Sequence, residues 1–220
     1  MKARVQPRLD DLSAGELDPD MVIPPVEHRC ALTFDDGPDP VWTPAVLTCL
    51  REHGLAATFF VIGARAQAAP ALIARVLEAG HEVGLHCMHH VRHTGLSEAE
   101  LAADTDAALE ALARIGVRPS SWRAPWGVHT EASHSVAAQH NLELIGWSAD
   151  THDWRGDRAT QMHAAVAPLL HDGSIVLMHD GIGPGARRDG CAQTVELTRL
   201  LSQTLARQAT AAVSVRELRS

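Results

Sequence analysis

Tyrosine is absent from this 220-residue chain, while histidine occurs 14 times. No stretch approaches the roughly 18 apolar residues that a membrane helix needs. Residues 1–20 contain no apolar run of the roughly 7–15 residues that a secretory signal carries, so the expectation is a soluble, cytoplasmic protein with no membrane span. There is no block of lysine or arginine, and the formal net charge is -8 with a pI near 5.9. With no concentrated source of phosphate neutralisation, the chain is a poor candidate for a nucleic-acid binder, and none is expected as a partner. Nothing in the chain implies a protein partner. The four cysteines, at 30, 49, 87 and 191, form no CxxC pair and no short secreted framework. Reduced thiols follow. No internal repeat and no low-complexity tract interrupts the sequence.

What is present fits one domain, with 45% hydrophobic and 21% charged residues in a normal globular mix. Residues 1–27 read as a polar, proline-bearing arm, and 28–220 as the folded unit. Within it, short apolar runs alternate with helical segments. Strands are predicted over 31–34, 57–62, 82–85, 120–123, 143–147, 174–178 and 211–215. Helices are predicted over 43–53, 65–79, 98–115, 130–140, 158–171 and 192–207. Ser97-Glu98-Ala99-Glu100 is a capping box that opens the third of these helices. Strands alternating with helices require parallel pairing through crossovers. The pattern predicts an α/β fold, an irregular (β/α)7-type barrel of parallel strands, with an open doubly wound sheet as the alternative. In either architecture, functional groups gather at the strand carboxyl ends.

Five strand ends carry reactive groups in succession. They are Asp35-Asp36-Gly37-Pro38, then His86-Cys87-Met88-His89-His90, Arg123-Ala124-Pro125-Trp126-Gly127, Asp150-Thr151-His152-Asp153-Trp154, and His179-Asp180-Gly181. His86 and His90 are four apart, which on a helical turn puts both imidazoles on one face. Two histidines and a carboxylate make a common catalytic divalent-metal set. Asp35 and Asp36 are neighbours, so on a strand one can bind metal while the other stays free as a base. His81, His89 and His93 read as surrounding or surface groups. His179 is a candidate proton donor, with Asp153 as the carboxylate that orients it. The same metal set also describes non-haem iron oxygenases, but that chemistry leaves Asp35 and His179 without a use.

Taken in order, these segments resemble the five motifs of the polysaccharide deacetylases, the NodB-homology domain of carbohydrate esterase family four. Thr33-Phe34-Asp35-Asp36-Gly37-Pro38 resembles the first motif and His86…His90 the second. Arg123–Gly127 resembles the third, Asp150…Trp154 the fourth, and Leu177-Met178-His179 the fifth. The resemblance runs from about residue 30 to 215 and is closest to the chitooligosaccharide deacetylases. It implies a catalytic domain over 28–220 and hydrolysis of an N-acetyl group. Asp36, His86 and His90 would hold a divalent metal, zinc by preference, with cobalt or nickel able to substitute. Asp35 would be the base, held by Arg123, and His179 the acid, tuned by Asp153. The Trp126 amide would help as oxyanion donor, and Trp154 and Leu177 would line the acetyl pocket. The implied substrate is an acetylated oligosaccharide or glycan precursor, with a small acetylated amine or ester as the alternative. Trp42, Trp126 and the loop 181–190 are candidates for a sugar groove. The chain departs from the family pattern at Leu85, Cys87 and Trp126, and Cys87 is expected to be a packing substitute.

Overall fold

The structure, a computed structural model, describes residues 28–220; the arm predicted over 1–27 lies outside them. Eight strands form one sheet, and every pairing in it is parallel. They are β1 (His28–Asp35), β2 (Thr58–Ile62), β3 (Glu82–Cys87), β4 (Ser121–Trp122), β5 (Glu143–Leu144), β6 (Ala149–Asp150), β7 (Ser174–His179) and β8 (Thr210–Val213). The order across the sheet is β5-β4-β3-β2-β1-β7-β6. Strand β1 is central. It pairs with β7 on one side, and on the other with β8 along its first half and β2 along its second. The sheet curls into the predicted irregular barrel, left open as a half-barrel between β5 and β6.

That opening corrects one predicted element. The strand expected over 143–147 stops at Leu144, and a second, unpredicted short strand, Ala149–Asp150, lies at the opposite edge of the sheet. Ile145 N–H still bonds Trp122 O at 2.8 Å on the β4 side, and Ser148 N–H bonds Ile175 O at 3.0 Å on the β7 side. One extended stretch crosses the gap, so neither half can pair along its whole length.

The helices are α1 (Trp42–Glu52), α2 (Gly63–Ala68), α3 (Pro70–Glu78), α4 (Glu98–Arg114), α5 (Glu131–Gln139), α6 (Ala159–Val166), α7 (Ala192–Arg207) and α8 (Val215–Leu218). The helix predicted over 65–79 is divided at Pro70, and the one over 158–171 stops at Val166, before Pro168. Proline removes a backbone donor and clashes with the preceding turn, which explains both breaks. The α4 cap forms as expected, with Ser97 Oγ accepting from Glu100 N and Glu100 accepting from Ser97 N. Among the described residues, no helix is long and apolar enough to cross a membrane.

Strand alternation divides the side chains into two populations. Leu32, Phe34, Phe59, Val83 and Leu85 pack outward into the main core with Leu50, Ile73, Leu112, Leu197 and Leu201 of the covering helices. Phe34 and Phe59 stack at 5.2 Å between centroids. A smaller inner cluster joins Ala31, Phe60 and Ile145 to Val215 of α8. The unpredicted α8 stoppers the amino-terminal end of the interior, with Val215 N–H on Thr58 Oγ1 and Arg216 N–H on Glu82. The interior is tight there. A Cβ on Gly84 would lie 2.6 Å from the Phe60 ring and 2.8 Å from Ser121 Oγ.

Two substitutions separate packing from capping. Phe59→Ala empties a site that is 1% exposed and is expected to cost about 3–5 kcal/mol. Ser97→Ala removes only a cap and is expected to cost about 1 kcal/mol. Urea unfolding of both variants measures the difference.

Candidate active site

The site is built where β1 ends. Asp35 closes the strand, and Asp36 turns into the left-handed region at φ 72°, a conformation that aspartate tolerates better than most residues. The turn brings both neighbouring carboxylates to one cleft, where strand alternation would have sent them to opposite faces. Asp35 is fixed by Arg123, whose Nη1 donates to Asp35 Oδ1 at 2.9 Å and to Thr33 Oγ1 at 2.6 Å. The same guanidinium donates to the carbonyls of Ile145 and Gly146 at 3.3 and 2.9 Å. It lies over the Phe60 ring at 4.2 Å and is fully buried.

Asp36 Oδ1 faces two imidazoles, His86 Nε2 at 3.5 Å and His90 Nε2 at 3.2 Å. The helical turn expected to join these histidines is not what brings them together. His86 lies within β3, and His90 follows in an irregular loop. The loop is shaped by Asp104 of α4, which accepts from Met88 N at 2.8 Å and His89 N at 3.0 Å. Nothing near the motif in sequence announces Asp104. His90 also rests edge-on against Trp126 at 4.2 Å.

The donor set fits a divalent cation. His86 Nδ1 bonds Arg123 O at 2.6 Å, which makes that nitrogen the proton carrier and leaves Nε2 a bare lone pair. Asp36 Oδ1 is buried with no hydrogen-bond partner. The three ligand atoms lie within 4.8 Å of one another. Burial alone would raise the Asp36 carboxyl, but positive charge around it, on His86, His90 and His179 when protonated or on a cation bound between the ligand nitrogens, holds the group below the usual range.

Across the cleft stands His179, at the end of β7. Its Nδ1 bonds Asp153 Oδ1 at 2.7 Å, and its backbone N–H donates to Asp153 Oδ2 at 2.9 Å. Burial works against a charged ring, but Asp153, and behind it Asp36 and Asp35, raise His179 to about 9. Burial likewise opposes ionised Asp153, which His179, Arg188 and Thr194 nevertheless hold down at about 2. Asp153 also carries a second partner that sequence reasoning missed, Arg188 at 2.9 Å.

The cleft has a volume of about 450 Å³. Asp35, Asp36, His86, His90, Trp126, Trp154, Leu177 and His179 all line it, while Arg123 and Asp153 stand behind its walls. Trp126 is held at φ 56°, another left-handed residue at the rim. Trp42 is not part of the wall; it packs against Gly190 instead. Trp147 and His152 are, and neither was expected there. The loop after β7 passes so close to Asp36 that a Cβ on Gly183 would overlap its carboxylate. Arg65 fastens that loop, donating to Asp36 O at 2.7 Å and Ile182 O at 2.8 Å.

The remaining candidates behave as packing groups. Cys87 is buried and unpaired, and burial, with Asp104, Asp36 and Asp35 nearby, pushes its thiol well above the ordinary value. His93 is buried on Ser133 at 2.8 Å, His81 is buried, and His89 is exposed.

A parallel half-barrel with an Asp-His-His trio and a histidine-aspartate pair at its strand carboxyl ends defines a hydrolase with a site for a divalent ion. The model of the polysaccharide deacetylase family matches residues 23–145, and the chain belongs to that family of carbohydrate deacetylases. It is 40% identical over 162 residues to a chitooligosaccharide deacetylase of Bradyrhizobium, covering 71% of this chain and 73% of the relative. It is 35% identical over 198 residues to a peptidoglycan-N-acetylglucosamine deacetylase of Bacillus cereus, covering 89% and 90%. Among solved structures, the peptidoglycan deacetylase PdaC of Bacillus subtilis superposes with a TM-score of 0.79 at 30% identity, covering 89% of this chain and 91% of that one. A family 4 carbohydrate esterase from Streptomyces lividans, in complex with acetate, gives 0.76 at 31% identity, covering 84% and 91%.

The His179 pair makes stability depend on pH. Its value rises from 6.5 to about 9 on folding, so its contribution is complete below about pH 6.5 and fades as pH climbs through 9. His179→Gln is expected to narrow its stability deficit against wild type between pH 7 and pH 9.5. Urea midpoints across that range check the sign.

Proposed function

We propose that residues 28–220 are the catalytic domain of a metal-dependent deacetylase. It removes the N-acetyl group from N-acetylglucosamine units of a soluble oligosaccharide or glycan precursor. The observation that carries the reading is one cleft with the Asp36, His86 and His90 trio on one side and His179, hydrogen-bonded to Asp153, on the other. The names of the relatives, chitooligosaccharide and peptidoglycan-N-acetylglucosamine deacetylases, support the sugar over a small acetylated amine.

Asp36, His86 and His90 are the residues that would hold the ion, with zinc our choice. A divalent ion held there would supply an acidified water and a Lewis acid for a carbonyl oxygen. Asp35 takes the proton of the attacking water. Its contact with Arg123 keeps it aimed. The Trp126 N–H is our candidate donor to the carbonyl oxygen as charge builds there. His179 then gives its Nε2 proton to the departing amine, while Asp153 on Nδ1 fixes the tautomer that makes this possible. Leu177 and Trp154 line the cleft and would give the acetyl methyl an apolar seat.

Protein stripped of metal and resupplied with zinc or cobalt is expected to release acetate from chitotetraose only after resupply. Asp35→Asn is expected to lower kcat by about 10²–10⁴, the usual scale for a general base, with metal stoichiometry unchanged. Asp36→Ala is expected to weaken zinc binding by more than the roughly 10–100-fold that loss of an outer partner costs. Acetate release and isothermal titration measure the two effects separately. Equal turnover with and without metal would overturn the reading.

A further inference from the structure

The loop over residues 181–190 contributes one side chain that the scheme above does not use. Arg188 leaves the loop and turns inward, its side chain only 5% exposed. Its Nη1 donates to Asp153 Oδ2 at 2.9 Å and to Thr194 Oγ1 at 2.5 Å. Its Nη2 donates to the carbonyls of His179 and Gly181 at 3.1 and 3.3 Å. Asp153 does not need Arg188 for orientation. The His179 backbone N–H and the Thr194 hydroxyl already hold Oδ2, at 2.9 and 2.7 Å. What Arg188 adds is a fixed positive charge.

That charge matters because the other charged groups around His179 pull the other way. Asp153 meets the ring directly, Asp35 and Asp36 face it from the end of β1, and Asp180 is its chain neighbour, itself buried. Asp153, Asp36 and Asp35 all favour the protonated ring. When the C–N bond breaks, its electron pair goes to nitrogen and the proton on His179 Nε2 follows. With Arg188 present, the trio left behind is a neutral imidazole, a carboxylate and a guanidinium, with no net charge. Without it, a carboxylate would remain buried against a neutral ring, which is costly.

We propose that Arg188 is a positioning residue of the acid: seated on Asp153, it offsets the carboxylate charge so that His179 can release its proton. The proposal rests on the deacetylase reading, in which His179 protonates the amine.

The test compares Arg188→Met and Arg188→Lys in the zinc-loaded protein on two substrates. Chitotetraose has a leaving amine that needs the proton; 4-nitrophenyl acetate has a leaving phenolate that does not. Arg188→Met is expected to lower kcat on chitotetraose about tenfold, the effect of one pKa unit of acid strength at full proton transfer. KM and the aryl-ester rate should change by less than twofold, and Arg188→Lys should recover most of the loss. The Nδ1–H proton of His179 should move downfield in the proton NMR spectrum of the Met variant, because an unshared carboxylate accepts more strongly, and stay near wild type in the Lys variant. Equal losses on both substrates would mean a purely structural role and overturn the proposal. So would a change in KM alone, or no change in either rate. If wild type releases no acetate from chitotetraose, the deacetylase reading fails. The NMR shift then decides alone: a downfield move supports the charge offset, and an unmoved resonance overturns it.

Discussion

One buried guanidinium ties the fold to the site. Arg123 sits where the half-barrel fails to close, and its donors reach the carbonyls of Ile145 and Gly146 in the segment between β5 and β6. The remaining donors reach Thr33 and Asp35 on the central strand. Its backbone carbonyl takes His86 Nδ1. A single residue thus joins the open edge of the sheet, a carboxylate of the cleft and one imidazole of the trio. A buried cation is tolerated only when its donors are matched. The matching here is what places Asp35 and His86 relative to each other.

The same demand explains the other charges around the cleft. The chain is acidic, with a net charge of -8, and Asp35, Asp36, Asp150, Asp153 and Asp180 crowd the strand ends. Asp35 is balanced by Arg123, and Asp153 by His179 and Arg188. Asp180 lies behind the turn, hydrogen-bonded by Thr43 at 2.5 Å, and burial together with Asp36 and Asp35 raises it to about 7, where much of its charge is lost. Asp36 faces only imidazoles, with one oxygen buried and unpaired. It has no fixed cation of its own and stands with two imidazoles, which is why a divalent ion fits there.

Much of this was legible before any coordinates. Helix α7 runs over the residues its pattern indicates, α4 starts at its capping box, and β7 differs from the expected strand by one residue. These elements have strong local signals: an apolar stripe, a cap, an uninterrupted apolar run. Elements set by long-range pairing were not legible. The segment 143–147 reads as one strand, yet only its first two residues pair on that edge, and the unpredicted Ala149–Asp150 serves the other. Helix α8 is four residues long, and its role as a stopper depends on a Glu82 contact 134 positions away.

The sequence by itself determined which chemical groups stand at the strand ends, since a period of two and a strand-helix alternation decide where strands stop. It determined Asp35, Asp36, His86, His90, Arg123, Asp153 and His179 as a set. Only the tertiary structure decided how they meet. The left-handed turn at Asp36 brings two adjacent carboxylates to one cleft. Asp104 bends the chain so that His90 comes beside His86 without a helix. Arg188 returns from a loop to share Asp153. Each depends on contacts between distant segments, which spacing along the chain does not encode.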